Sequence, residues 1–274
     1  MAECGADSFF EDLMARLYLV YQPIVGGNPL RIHGVEVLSR FRPRSSDQPP
    51  PSPGEIVGRI ESAGQIEVMT RCVFERLTSD LHRVVINPFC PLHVNISPLQ
   101  VSMDPGRLHL ERDLEKFWGH HRNSLILEIT ENRHRLSKKK WGSIGEWMED
   151  LTRRDGDLGW FLDDFGRGEN FDVLDLPFQG IKIDRDFVIS DSPRPIRAIA
   201  RIAEMFGWSL VAEGVESREE LKRLKPYKID YFQGNFAYRP MPIEKLRLIG
   251  SKGLLEIPPP GSISNTDSSF GVLK

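Results

Sequence analysis

The sequence has few cysteines, no export signal and no long apolar run. Its three cysteines, Cys4, Cys72 and Cys90, are an odd number and include no C-x-x-C pair. This pattern disfavours both a disulfide framework and a cysteine-based zinc site. The N-terminus is acidic rather than basic, and no stretch approaches the roughly 18 apolar residues of a membrane span. We therefore expect a cytoplasmic protein without a membrane span.

The sequence also lacks a strong excess of charge of either sign. It has 36 Lys and Arg against 39 Asp and Glu, which gives a formal net charge of −3. A general nucleic-acid binder is normally strongly basic, so we expect no direct contact with nucleic acid. The 274 residues would suit two average domains or one α/β barrel.

Short apolar runs alternate with stretches of helical periodicity, which favours a parallel-sheet α/β architecture. The strand-like runs are LYLVYQPIV, GVEVL, LHVNIS, LILEITE, GWFLDD, QGIKID, SLVAEGVE and IDYFQG. Helical periodicity is clearest at 53–64, 65–81, 139–154, 195–207 and 217–224. Eight strands suggest a closed barrel. We expect a short N-terminal segment at 1–16, one domain at 17–250 and a flexible tail, rich in Pro, Ser and Gly, at 251–274.

Polar residues stand at or just after the ends of most strand-like runs. They are Glu36, Asn95, Glu128, Glu131, Asp163, Asp164, Lys182, Asp184, Glu213, Glu216 and Gln233. Catalytic residues of barrels collect at the carboxyl ends of the strands, on one face. Any one acidic residue there is usually structural, but six or more converging would repel each other without a counter-charge. One or two divalent cations, together with Lys182, would neutralise this charge with few groups.

The chemistry of these side chains restricts the metal. Glu, Asp and Asn supply hard oxygen ligands, which select Mg²⁺ or Mn²⁺ over Zn²⁺. The adjacent Asp163 and Asp164 are suited to bracket two ions. Two ions about 3.5–4 Å apart suit in-line displacement at phosphorus. The residues by themselves therefore point to hydrolysis of a phosphate ester.

Seven motifs then occur in the order of a known family. They are GVEVLSR (34–40), HVNIS (93–97), LEITE (127–131), LDDFG (162–166), IKID (181–184), VAEGVE (211–216) and FQG (232–234). The sequence thereby resembles the EAL-domain family of cyclic-di-GMP phosphodiesterases. The resemblance implies a modified TIM (β/α)₈ barrel whose first strand runs antiparallel to the others. It also implies metal-dependent hydrolysis of cyclic-di-GMP, a second messenger of bacterial motility and biofilm formation, to linear pGpG.

The resemblance further implies a role for each matching residue. The implied metal ligands are Glu36, Asn95, Glu128, Asp163, Asp164 and Glu213, holding two Mg²⁺ or Mn²⁺ ions. The implied catalytic residues are Lys182, Glu213 and Glu36. The implied substrate-binding residues are Arg40 and Gln233. The implied loop-anchoring residues are Glu131 and Glu216.

The sequence departs from the family pattern after the Asp pair, where it reads DDFGRGENFDVL (163–174) and Arg167 replaces a small threonine. Three hypotheses follow. The first is an active phosphodiesterase, favoured because every metal-ligand position and the lysine are present. The second is a catalytically weak or silent EAL-like protein that binds protein partners, and the third is a receptor that binds cyclic-di-GMP without cutting it. The family often dimerises through the barrel, so a homodimer is also expected.

Overall fold

A computed structural model of the chain describes residues 3–27, 30–45, 49, 52–84, 90–121, 124–130, 136–166 and 171–250. The strands are β1 (Leu17–Gly26), β2 (Arg31–Phe41), β3 (Leu92–Ile96), β4 (Leu125–Thr130), β5 (Leu158–Phe165), β6 (Gly180–Ile183), β7 (Ser209–Ala212) and β8 (Tyr231–Phe232). The helices are α1 (Glu3–Ala15), α2 (Pro53–Ser62), α3 (Ile66–Arg83), α4 (Pro98–Val101), α5 (Asp104–His120), α6 (Lys138–Arg154), α7 (Arg185–Ile189), α8 (Pro193–Phe206), α9 (Arg218–Leu224) and α10 (Ile243–Gly250). Short 3₁₀ turns cover Phe171–Asp175 and Lys225–Tyr227.

The strands close into a barrel in chain order. β1 is antiparallel to both of its neighbours, β2 and β8, whereas the pairs from β2 to β8 are parallel. The reason is the short connection from β1 to β2, since a parallel pair needs a long crossover and a tight turn permits antiparallel pairing. The predicted modified barrel with an antiparallel first strand is confirmed.

Strand periodicity separates two layers of apolar packing. In β4, Leu125, Leu127 and Ile129 are fully buried against the surrounding helices. Ile126 alternates with them and belongs to a smaller cluster inside the barrel. The members of that cluster are Ile24, Ile126, Phe161, Val211 and Tyr231. Because side chains repeat every two residues along a strand, a residue two positions after an interior one also faces the barrel axis.

The predicted helices correspond to α2, α3, α6, α8 and α9. Helix α5 is a further helix, and its buried apolar residues Leu110, Leu114 and Phe117 have helical spacing. Its apolar face packs on α3, where the rings of Phe74 and Phe117 meet edge to face at 6.1 Å. Burial of this face against α3 therefore stabilises the helix.

Several predicted features lie outside the described residues, namely Glu131, Arg167 and the tail 251–274. The N-terminal segment contains α1, and the domain boundaries at 16 and 250 stay predictions. Among the residues that the structure describes, no helix is both long and apolar enough to cross a membrane.

Candidate metal centre and active-site cleft

The predicted site residues converge at the carboxyl ends of the parallel strands. A cleft of about 400 Å³ lies there, lined by Glu36, Asp163, Asp164, Glu213 and Gln233 among others. The places of the predicted residues are Glu36 on β2, Asn95 on β3, Glu128 on β4, Asp163 and Asp164 on β5, Lys182 on β6, Glu213 directly after β7 and Gln233 directly after β8. Most of them stand two positions after an apolar residue of the barrel interior, or after a glycine that leaves room for a neighbouring interior ring. The barrel therefore supplies a packed apolar floor with polar side chains above it.

Lys182 is fully buried at the centre of the acidic residues. Its Nζ lies 2.5 Å from Glu213 Oε1, 2.9 Å from Glu128 Oε2, 3.2 Å from Glu36 Oε2 and 3.6 Å from Asp163 Oδ1. Burial alone lowers the pKa of Lys182, but the surrounding carboxylates outweigh it and raise that pKa well above its usual value. The lysine therefore stays charged and holds the acidic side chains together.

One lysine does not compensate all of these carboxylates. Burial raises the pKa values of Glu128, Asp163 and Glu213 above their usual range, although Lys182 opposes the shift. Glu36 is different, because the charge of Lys182 and hydrogen bonds from two amides overcome burial and lower its pKa. These carboxylates therefore resist ionisation unless a further positive charge is present, and a bound divalent cation would supply that charge.

The two amides that stabilise Glu36 come from opposite sides. Asn95 Nδ2 donates to Glu36 Oε1 at 2.8 Å, and Gln233 Nε2 donates to Glu36 Oε2 at 2.7 Å. Gln233 Nε2 also lies 3.0 Å from Oε1 of Gln22, and Gln22 Nε2 donates to the backbone oxygen of Tyr238 at 2.9 Å. These bonds tie β1, β2, β3 and the end of β8 together at the cleft.

Asp163, Asp164 and Glu213 form a group suited to a metal ion. Each offers a carboxylate oxygen, and these oxygens lie within 4.8 Å of one another. Asp164 adopts φ +54°, a conformation uncommon outside glycine, and its backbone N–H donates to Asp163 Oδ1 at 2.9 Å. The register of β5 is irregular between Leu162 and Phe165. This irregularity places two consecutive carboxylates at the cleft, whereas a regular strand would send them to opposite faces.

The residues present fit a hard divalent cation. Their donor atoms are carboxylate oxygens, which Mg²⁺ and Mn²⁺ prefer. Asp163 is shared between this group and the carboxylates around Lys182. The assignment of individual residues as ligands stays a prediction.

The other predicted residues have distinct surroundings. Arg40 lines the cleft while its Nη1 donates to the neighbouring backbone oxygen of Ser39 at 2.8 Å. Glu216 Oε2 pairs with Arg185 Nη2 at 3.0 Å. Asp184, another residue of the strand-end pattern, caps α7 by accepting from the backbone N–H of Asp186 at 2.8 Å.

Among the described residues, the structure adds Gln22, His93 and Arg185, which the sequence-based prediction does not include. Gln22 faces Glu36 through the antiparallel register of β1 and β2. Arg185 also bonds the backbone oxygen of Gly214, next to Glu213. His93 stands two residues before Asn95, and its Nδ1 lies 2.8 Å from Glu128 Oε1. Burial and the charge of Lys182 lower the pKa of His93 to about 3, so its ring is neutral.

Comparison with known proteins agrees with this geometry. The family profile described as EAL domain matches residues 10–240. The chain belongs to the EAL domain family. Among curated relatives, it is 27% identical over 238 residues to the probable cyclic di-GMP phosphodiesterase PdeN of Escherichia coli K12, covering 84% of this chain and 44% of that protein.

Two further likenesses extend the comparison. The EAL domain chain is 27% identical over 241 residues to the cyclic di-GMP phosphodiesterase NbdA of Pseudomonas aeruginosa, covering 84% of this chain and 30% of that protein. It thus spans less than half the length of these relatives. Among solved structures, the PaMucR phosphodiesterase in complex with c-di-GMP is 27% identical, with a TM-score of 0.71 over 85% of this chain and 94% of the other.

Proposed function

We propose that this EAL domain is a metal-dependent phosphodiesterase that hydrolyses cyclic-di-GMP to linear pGpG. Membership of the family and the names of its relatives support the substrate class. The observation that carries the reaction type is the Asp163, Asp164 and Glu213 group beside the buried Lys182. Since the substrate is a second messenger, the protein would act in the cytoplasm and lower the messenger level.

The proposed cofactor is a pair of Mg²⁺ or Mn²⁺ ions. The residues that would hold them are Glu36, Asn95, Glu128, Asp163, Asp164 and Glu213. Bound divalent cations supply an activated water and neutralise charge on the phosphate. The shortage of positive charge among these carboxylates and the oxygen-rich donor set support this assignment.

The remaining residues of the cleft would handle substrate and water. In the proposed reaction water attacks one phosphorus, the bond to a ribose 3′-oxygen breaks, and the ring opens to a linear dinucleotide with a 5′-phosphate. Lys182 would orient the attacking water, since its ammonium lies among the acidic groups that face the cleft. Arg40 and Arg185 line the cleft and would attract the phosphates. Gln233, held by Gln22, would form the floor.

Incubation of the purified protein with cyclic-di-GMP and either Mg²⁺ or Mn²⁺, followed by chromatography, tests the proposal. We expect pGpG to accumulate at neutral to mildly alkaline pH and to be absent when EDTA is added. An Asp163→Asn variant with unchanged circular dichroism is the matched inactive control. Absence of pGpG with both metals would overturn the proposed activity.

The same experiment separates the alternative roles. Tight binding of cyclic-di-GMP without hydrolysis would indicate a receptor, and neither binding nor hydrolysis would favour a protein that acts through protein partners. Since Arg167 is the main departure from the family pattern, the assay should include Arg167→Thr. Turnover that rises on this substitution would show that the altered loop restrains the enzyme. Size-exclusion chromatography with light scattering tests the expected homodimer.

A further inference from the structure

A histidine lies inside the barrel, in a layer that is otherwise apolar. His93 is buried, with its side chain 4% exposed, and its ring meets that of Phe161 edge to face at 5.2 Å. It stands on β3 at the level of Ile126 and Phe161, directly below the acidic cluster. A buried imidazole costs free energy unless it is hydrogen-bonded. An aliphatic or aromatic side chain at residue 93 would fill the same space without that requirement.

The partner of His93 is one of the predicted metal ligands. Glu128 is fully buried, and its two oxygens are approached from two directions. His93 Nδ1 lies 2.8 Å from Oε1, and Lys182 Nζ lies 2.9 Å from Oε2. A carboxylate that holds a metal ion is ionised and can only accept hydrogen bonds, so at this distance His93 donates its Nδ1–H to Oε1. This bond holds Oε1 and directs Oε2 toward Lys182.

Neighbouring residues leave His93 little freedom to turn away. A Cβ on Gly34 of β2 would stand 2.7 Å from His93 Nε2, so the glycine provides the room that the ring occupies. Phe161 packs edge to face on the imidazole, and its own ring lies over Gly180, where a Cβ would overlap it. Two glycines and one phenylalanine therefore keep the imidazole against Glu128.

We propose that His93 is a positioning residue that sets the orientation of Glu128 in the metal centre. The effect of His93 on catalysis rests on the proposed function. Its effect on the orientation of Glu128 rests on the hydrogen bond from Nδ1 to Oε1. Outer hydrogen bonds of this kind orient metal ligands, and their loss commonly lowers metal affinity or activity by about 10–100-fold. Packing alone would require a ring-sized apolar group at residue 93 and no donor.

Two substitutions distinguish positioning from packing. His93→Phe keeps an aromatic ring but removes the donor, whereas His93→Asn leaves a gap but retains an N–H close to the position of Nδ1. If His93 positions Glu128, the Asn variant should keep more metal affinity and turnover than the Phe variant. If His93 only fills space, the order should be reversed.

Calorimetric titration with Mn²⁺, without substrate, is the first measurement. We expect His93→Phe to weaken Mn²⁺ binding by about tenfold or more and His93→Asn to recover a substantial part of that loss. Where hydrolysis is measurable at saturating Mn²⁺, kcat should fall in the Phe variant while KM for cyclic-di-GMP changes little. The control is His33→Phe, the same substitution at an exposed residue of β2 outside the cleft.

The outcomes are separable from those of the proposed function. Wild-type protein that binds Mn²⁺ but makes no pGpG would end the proposed activity, and the rank order of Mn²⁺ affinities would still decide the role of His93. Wild-type affinity and turnover in His93→Phe would overturn the role of His93 and leave the activity intact. If His93→Phe fails to fold by circular dichroism, Gly34→Ala replaces it, because its added methyl displaces the ring without removing the donor. Unchanged Mn²⁺ affinity in folded Gly34→Ala would then overturn the proposal.

Discussion

Lys182 Nζ lies within 3.6 Å of carboxylate oxygens from four different strand ends. At the scale of single residues, this arrangement makes each acidic group depend on the others. Glu36 ionises readily because amides and the lysine favour its charge, whereas burial hinders the ionisation of Glu128, Asp163 and Glu213. The four carboxylates therefore have different electrostatic surroundings despite their proximity.

Replacement of Glu36 tests its predicted place among the ligands. Glu36→Ala removes a carboxylate and leaves the amides of Asn95 and Gln233 without their acceptor. We expect turnover of cyclic-di-GMP to be nearly abolished, measured as kcat at saturating Mn²⁺. Retention of more than about a tenth of wild-type activity would remove Glu36 from the metal site. Glu55→Ala, on the exposed side of α2, is the control.

The raised pKa of Glu213 predicts a pH dependence of the metal-free protein. Because the folded protein binds this proton more tightly than the unfolded chain, the contribution of Glu213 to stability is present below its ordinary pKa of about 4.3. It is lost as the pH rises through the raised value. The side chain in Glu213→Gln does not ionise. In EDTA, the Tm of this variant relative to that of the wild type should therefore increase as the pH rises from about 4 toward 8.

Scanning calorimetry at several pH values measures this difference. Glu219→Gln, on the exposed side of α9, provides a control whose Tm should follow the wild type. A difference between Glu213→Gln and wild type that stays constant with pH would contradict the raised pKa.

At the scale of elements, most of the parallel strands place a site residue two positions after a residue of the interior layer. Examples are Phe161 before Asp163 on β5 and Gly180 before Lys182 on β6. Gly180 is required because a side chain there would overlap the Phe161 ring. The same strands thus position the interior apolar layer and the acidic side chains. We therefore expect a change of packing in the apolar layer to shift the acidic side chains.

Gly180→Ala tests this coupling through stability. Overpacking against the rigid Phe161 ring should cost about 1–3 kcal/mol in the free energy of unfolding, measured by urea denaturation. Adding Phe161→Leu should recover part of that loss, giving a favourable coupling in the double-mutant cycle. Gly142→Ala, in an exposed position of α6 with open space around it, should instead stabilise by up to about 1 kcal/mol. Equal effects at the two glycines would contradict the packing argument.

At the scale of the whole molecule, a net charge of −3 conceals a strongly uneven distribution. Carboxylates from strands on several sides of the barrel meet at one mouth, where they face a single buried lysine. A divalent cation bound there would join the ends of these strands. Metal binding should therefore stabilise the barrel as a whole and not only the cleft.

Metal removal tests this global effect. At about 100 times its Kd, a ligand that binds only the folded state stabilises by about 2.7 kcal/mol. We expect Mn²⁺ to raise Tm by about 5–10 °C over the value in EDTA, measured by thermal unfolding. The shift should largely disappear in Asp163→Asn. A wild-type Tm that does not respond to Mn²⁺ would argue against a metal centre at this mouth.

The sequence alone determined the barrel, the antiparallel first strand suggested by its family motifs, and the strand ends at which acidic residues meet. The alternation of strands and helices follows from periodicity along the chain, whereas the antiparallel first strand follows from the family resemblance that the motif order carries. Only the tertiary structure decided the contacts of Gln22, His93 and Arg185, because each partner comes from another strand or loop. The shifted pKa values of Glu128 and Glu213 likewise depend on burial and on charges brought together by barrel closure, which no local segment contains.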